Sequence, residues 1–193
     1  MRMDWLARDG DAAIRKMNPD AHDFALMLKW MTDPETMRWW DGMTQKYTME
    51  RVVAGYWRHV RQQVQPCILE WQGAAVGYCQ FCRVDAESYE VPQEEYDRFA
   101  SAGEVVYGID LFIGETACRD RGVGTRLLRL LMQALFTEYG ADALLVDPKT
   151  HNARAIRCYE KCGFRRLFVA PQREAQDGAL HDSLIMGARP AGH

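Results

Sequence analysis

The run from Glu104 to Pro148 constrains the fold more than any other part of the chain. "EVVYGIDLFIGE" is dense in β-branched and aromatic residues and reads as a strand. Gly122 and Gly124 follow in a G-x-G, and from there Val123, Leu127, Leu130, Leu131, Ala134 and Leu135 share one helical face. "ADALLVDP" then reads as a further strand. A strand, a helix and a strand in that order form a crossover, which sets the two strands parallel.

Around this unit the pattern is a meander. "AAIRKM" (12–17) serves as a first strand, and Phe24, Met27, Leu28 and Met31 form one helical stripe. Thr48 is expected to cap a second helix with Val52, Val53, Tyr56, Trp57, Val60 and Val64 on its apolar face, stopped by Pro66. "CILEWQGAAVGYCQFCRV" is a hairpin around Gln72-Gly73, and "PQEEYDRFA" suits a short helix. "NARAIRCYEKCG" is a helix closed by Gly163, and "FRRLFVA" and "ALHDSLIMGA" are strands around a polar loop. The expected class is mixed α/β: a mostly antiparallel sheet with one parallel pair, flanked by helices. At 193 residues the chain fits one domain with a full core, placed at 12–189, with 1–11 as an N-terminal extension.

Charge and cysteine usage narrow the function classes. No basic stripe or Lys/Arg-rich block is present, which argues against nucleic acid. No apolar run of about 18 residues exists and the start is broken by Asp4, Arg8, Asp9 and Asp11, so neither a membrane span nor a signal peptide is expected. Cys79 and Cys82 form a C-x-x-C inside a strand, where alternation sends them to opposite faces, and no second pair completes a zinc site. The five histidines make no ligand spacing, so no metal is expected. Cys79 and Cys82 read as buried free thiols, and six reduced cysteines without disulfide-scaffold spacing suggest the cytoplasm. Seven acids against Arg98 alone lie between Asp85 and Glu104: a solvated face, or a lip that draws a cationic ligand.

The G-x-G carries the chemistry. The first-turn amides of a helix have no intrahelical acceptor, and the dipole places about half a positive charge there. Glycines admit a phosphate to that backbone, and Arg119 and Arg121 would add charge-assisted hydrogen bonds. A Walker loop is excluded because no Gly-Lys follows, and a dinucleotide fingerprint because position 127 is Leu. A glycine turn that only starts a helix has the same short pattern, so G-x-G by itself leaves both readings open.

In its wider context the region resembles the GCN5-related N-acetyltransferases. Arg119, Gly122 and Gly124 match the R-x-x-G-x-G that cradles the pyrophosphate of acetyl-coenzyme A in that family. "NARAIRCYEKCGF" is similar to its second signature, with Asn152 at the head and Tyr159 two turns along. "LMLKWMTD", "KYTMERV", "EVVYGIDLFIGE", "RGVGTR" and "DPKTHNARAIRCYEKCGF" together resemble the aminoglycoside 6'-N-acetyltransferases over roughly Asp23 to Gly187. The G-I-D at 108–110 departs from that group's G-[IMV]-D-Q by Leu111 in place of Gln, and Asp147-Pro148 matches its D-P.

The resemblance implies acetyl-coenzyme A as cosubstrate, a polycationic aminoglycoside as acceptor, and a sheet whose parallel strands splay at the coenzyme. It implies that Leu111, Phe112, Ile113, Arg119, Arg121, Gly122, Val123, Gly124, Thr125, Asn152 and Ala155 hold the coenzyme. Trp40, Gln80, Asp110 and Asp147 are implied to face the acceptor, with Trp39 and the "GYCQ" of 77–80 in the substrate wall and the acidic segment covering the drug. Both aspartates make physical sense, since ammonium groups need carboxylates beside them. The amine is expected to attack the thioester directly, Asp110 orienting it and taking its proton. A backbone N–H near a bulge at Leu111–Phe112 is expected to hold the oxyanion, and Tyr159 to donate to the departing sulfur. Lysine-type siderophore precursors, protein N-termini, and a non-catalytic acyl-coenzyme A-binding module are the alternatives.

Overall fold

The structure, a computed structural model, describes residues 4–190. Met1, Arg2 and Met3 of the N-terminal extension lie outside the described residues. In chain order the elements are β1 (Trp5–Asp9), β2 (Ala12–Lys16), α1 (Ala21–Met31), α2 (Pro34–Met37), α3 (Met49–Arg61), β3 (Gln65–Trp71) and β4 (Ala74–Arg83). There follow α4 (Gln93–Asp97), β5 (Val106–Ile113), a 3-10 turn at Thr116–Cys118, α5 (Val123–Thr137), β6 (Ala143–Val146), α6 (Ala153–Lys161), β7 (Arg165–Gln176) and β8 (Ala179–Ala188). The strands form one sheet in the order β1-β2-β3-β4-β5-β6-β8-β7. β5 and β6 are parallel, whereas β1–β2, β2–β3, β3–β4, β6–β8 and β7–β8 are antiparallel. The described residues group into two compact units, one reaching to Phe81 with Asp110–Leu131, the other holding Cys82–Ile109 and the chain from Met132 onward.

In the first unit, Asp20 caps α1 by accepting from the Asp23 amide at 3.0 Å. The buried face of α1 adds Trp30, 1% exposed, to the expected stripe, while Leu28 is only half-buried. These residues pack with Met17, Met37, Val52, Ile68 and Tyr78. The buried Arg15 of β2 joins α1 to the sheet, bonding Asp23 at 2.6 and 2.7 Å and Glu70 of β3 at 2.8 Å. Removing one partner from such a buried network costs about 3–5 kcal/mol, because it strands a charge.

Thr48 caps α3 as expected, accepting from the Arg51 amide. Pro66 does not stop the helix: α3 ends at Arg61, Gln63 takes φ +59°, and Pro66 is already in β3 opposite Gln80. The backbone turn at Gln63 ends the helix before the proline is reached. Trp57 and Val60, expected on the apolar face, are exposed.

The β3–β4 hairpin turns at Gln72-Gly73 with both residues at positive φ, the geometry of a type I′ turn. Gly77 on β4 is required by close approach: a Cβ there would lie 2.2 Å from the Phe112 carbonyl oxygen on β5. Gly77→Ala is therefore expected to destabilise the protein by about 1–3 kcal/mol through forced backbone displacement, measured by urea unfolding.

The second unit has its own core of Ala86, Tyr89, Val91, Ala100, Val106, Ala143, Leu145, Ala170 and Ile185. β7 and β8 are longer than expected. The polar loop between them shrinks to Asp177-Gly178, and β7 carries a register break between Ala170 and Glu174. None of the six cysteines is in a disulfide, and Cys67 and Cys79 face each other across β3 and β4 in full burial. Among the described residues no helix is long and apolar enough to cross a membrane.

Candidate active site

β5 changes character along its length. Val106 to Ile109 are buried, and from Asp110 to Ile113 the strand is only half-buried. The parallel ladder to β6 covers Val106, Tyr107 and Gly108 opposite Ala143, Leu144 and Leu145, and β5 continues beyond it. Asp110 is the first residue of the more open half.

Asp110 is held from β4. Gln80 donates through Nε2 to Asp110 Oδ2 at 2.9 Å, and the Tyr78 hydroxyl donates to Gln80 Oε1 at 2.9 Å. Burial pushes the Tyr78 phenol well above its ordinary value, with Cys79, Cys67 and Asp110 adding to the effect, so it stays protonated and must donate. That fixes the Gln80 amide with its N–H pointing to Asp110. Gln80, expected at the substrate wall, thus also holds the carboxylate. Trp40, also expected there, sets its ring edge against Phe112 at 4.9 Å and Tyr78 at 5.9 Å. Phe112 meets Trp30 in the same cluster at 6.0 Å.

The loop after β5 is braced internally. The Val76 carbonyl accepts from the amides of both Gly114 and Glu115, at 2.9 and 3.0 Å. Glu115 accepts from Lys29 at 2.5 Å and from the Trp30 indole at 2.8 Å. Arg119 donates from Nε to the Ile113 carbonyl at 2.8 Å, and its Nη2 is shared among Asp33 (2.9 Å), Thr36 Oγ1 (2.8 Å) and the Gly114 carbonyl (2.9 Å). Nη1 of Arg119 is buried without a hydrogen-bond partner. The expected anion ligand therefore spends most of its donors holding the loop, whereas Arg121 is exposed.

Asp33 is also the cap of α2, accepting from the Thr36 amide at 3.0 Å. Partial burial pushes its carboxyl up, but the bonds from Arg119 and Thr36 outweigh this and hold it below its ordinary value. A carboxylate depressed in this way adds stability that is present above the unfolded value of about 4 and lost as pH falls through the folded one. Asp33→Ala removes a cap and strands a nearly buried guanidinium, so a loss of about 2–3 kcal/mol is expected. Urea unfolding at neutral pH tests the size, and repeating it toward acid should show the gap between parent and variant closing.

Gly122 has φ +79°, and a Cβ built on it meets nothing within 4 Å. α5 follows at once. The Arg126 amide bonds the Gly122 carbonyl at 3.0 Å, and Val123, Gly124 and Thr125 form the first turn of the helix. Val123 is buried, and Leu127, Leu128 and Leu131 are fully buried, which anchors the helix start.

In the second unit, Asn152 caps α6, its Oδ1 accepting from the Ala155 amide at 3.1 Å. Tyr159 is buried on α6 with its ring edge-on to Phe164 at 5.6 Å. Asp147, just past β6, is paired with Arg173 through Oδ2 at 3.1 and 3.2 Å. Burial raises the Asp147 carboxyl, Arg173 opposes this, and the net direction is up. Of the acidic segment, Glu95 pairs with Arg98 and Glu104 with Arg189. Among the described residues no group of three or more His, Cys, Asp or Glu side chains is placed to hold a metal ion.

Residues 20–169 match the acetyltransferase (GNAT) domain. The aminoglycoside N(6')-acetyltransferase type 1 of Klebsiella pneumoniae is 32% identical over 147 residues, 75% of this chain and 70% of that protein. The protein of the same name from Serratia marcescens gives the same figures. The solved structure of AAC(6')-Ib in complex with ribostamycin and coenzyme A superposes with a TM-score of 0.75 at 26% identity, over 94% of each chain. The family match takes in both the glycine loop and the α6 signature, and the chain belongs to the GNAT acetyltransferases.

Proposed function

We propose that the protein transfers the acetyl group of acetyl-coenzyme A to the 6'-amine of aminoglycosides, and so confers resistance to them. The observation that carries this reading is the 32% identity, across three quarters of the chain, to aminoglycoside N(6')-acetyltransferases. Asp110 at the opening of β5 supports it, because a polyamine acceptor needs a carboxylate held ready.

Open space in front of the positive-φ Gly122, together with the mouth of α5, fits a pyrophosphate. In this reading the amides of Val123, Gly124 and Thr125 and the side chain of Arg121 bind the anion, and Arg119 braces the loop with Nη1 as its remaining donor. Leu111, Phe112 and Ile113 supply backbone to the acyl arm, and Asn152 and Ala155 belong to the coenzyme side of α6. Bound acetyl-coenzyme A supplies the thioester. Asp110 orients the amine and takes its proton, directly or through one water. A backbone N–H at Leu111–Phe112 holds the developing oxyanion, and Tyr159 donates to the departing sulfur. Trp40 and Asp147 are assigned to the acceptor, the residues 12–189 to a single acetyltransferase domain, and the protein to the cytoplasm.

The test is to mix the purified protein with acetyl-coenzyme A and kanamycin, ribostamycin, gentamicin or lysine, following thiol release and product mass. One acetyl on the 6'-amine of kanamycin or ribostamycin is the expected result. Tight coenzyme binding with no transfer to any aminoglycoside would refute the acceptor and keep the family.

A further inference from the structure

Arg173 lies where β7 departs from regular pairing. The register breaks between Ala170 and Glu174, Pro171 has no N–H to give, and Gln172 takes φ +53° with its amide on Asp182 Oδ1 at 2.8 Å. The bulge aims the Arg173 guanidinium into a three-sided setting. Nε and Nη2 both reach Asp147 Oδ2, Nη1 donates to the Glu90 carbonyl at 2.9 Å, and Cζ stands 4.9 Å from the centre of the Tyr89 ring. A carboxylate, a carbonyl and an aromatic face are the three kinds of group that recognise an ammonium ion.

Two ion pairs stand side by side here, and they differ. Lys149 is 4% exposed and bonds Glu174 at 2.6 Å, with Ser183 donating to the same carboxylate. That pair is short and its lysine is buried, although Glu174 keeps 32% of its side chain exposed. The Arg173–Asp147 contacts, at 3.1 and 3.2 Å on a single oxygen, are longer than the 2.7–2.9 Å usual for such bonds. Asp147 keeps 23% of its side chain exposed, and Glu174 adds a second negative charge nearby. An external cation that displaces Arg173 leaves the charge of the pocket unchanged, so the exchange carries no penalty of an unpaired buried carboxylate.

We propose that Arg173 is the built-in occupant of a cation site formed by Asp147, Tyr89 and the Glu90 carbonyl, which an ammonium group of the acceptor takes over, making Arg173 a determinant of which polyamines are accepted. The acceptor part of this rests on the function proposed above; the cation site itself does not.

The experiment therefore uses two probes on the full chain. Arg173→Ala opens the site, and Arg173→Gln keeps bulk without charge should the alanine variant not fold. With methylguanidinium at low millimolar concentration, both variants are expected to gain about 2–4 °C in melting temperature. The parent and the double variant Asp147→Asn/Arg173→Ala are expected to gain nothing. By calorimetry, ribostamycin should bind Arg173→Ala about tenfold more tightly than the parent, the scale of one competing charged hydrogen bond removed. A folded Arg173 variant that methylguanidinium does not stabilise, or that it stabilises equally without Asp147, overturns the cation site. Stabilisation by methylguanidinium with no aminoglycoside binding to any form keeps the site and removes the aminoglycoside as its ligand.

Discussion

Asp110→Asn is expected to lower acetyl transfer about 10²–10⁴-fold, the range for loss of a positioned general base, and to leave acetyl-coenzyme A binding within about twofold of the parent. The substitution suits the test because the local structure can absorb it. Gln80 donates to Asp110 Oδ2 at 2.9 Å, and an asparagine oxygen in that place accepts the same bond. Tyr78, buried and protonated, keeps Gln80 in its orientation. What disappears is the negative charge and the ability to take a proton. Steady-state kinetics separates these contributions. A fall in kcat with KM preserved assigns Asp110 to the chemical step, whereas a rise in KM alone assigns it to holding the ammonium. Activity within a few-fold of the parent would remove Asp110 from the mechanism.

The parts of the fold that are legible in the sequence are those whose pattern is local. The β-branched run of β5, the leucines of α5, the Gln72-Gly73 turn and the Asn152 cap all declare themselves within a few residues. β1 leaves no such signal because Trp5–Asp9 is short and charged; it exists by pairing with β2. α2 is a single turn that depends on the Asp33 cap and Pro34 at its start, too short for any periodicity. The later half of β7 contains Pro171 and polar residues on both faces, so it reads as loop. Antiparallel pairing with β8 makes it strand up to Gln176. Pro66 misleads in the opposite sense, since it reads as a helix breaker where a strand has already begun.

For the site, residue types are legible and partners are not. Arg119 stands out beside the glycines, but Asp33 and Thr36, which hold its head, lie more than eighty residues earlier. Arg173 carries no local signal at all. It becomes notable only because a bulge turns it toward Asp147. Resemblance puts Gln80 and Trp40 at the acceptor, and the structure gives each a further role. Gln80 holds Asp110, and Trp40 packs the aromatic cluster around Phe112. A polar side chain near a site has several partners within reach, and distance along the chain says nothing about which one it takes.

Gly122→Val is expected to weaken acetyl-coenzyme A binding at least about 10²-fold, the loss of two charge-assisted hydrogen bonds from the helix mouth. Two physical effects act together. At φ +79° a β-branched residue is strained, by about 1–2 kcal/mol, so the loop itself is pushed from its geometry. The side chain would also project into space that nothing within 4 Å occupies, next to the first turn of α5. Gly122→Ala separates these, because it shares most of the backbone strain and adds a single methyl. Gly124→Ala gives a second control: its Cβ would stand 3.5 Å from Ile113, an ordinary contact that the fold tolerates, so any loss of coenzyme binding there reports on the ligand and not on packing. Calorimetric titration with coenzyme A, alongside urea unfolding of each variant, measures both effects. If Gly122→Val folds and binds coenzyme A with the parent affinity, the anion does not sit at the mouth of α5, and the other donors named for it, Arg121 and Nη1 of Arg119, lose their assignment with it.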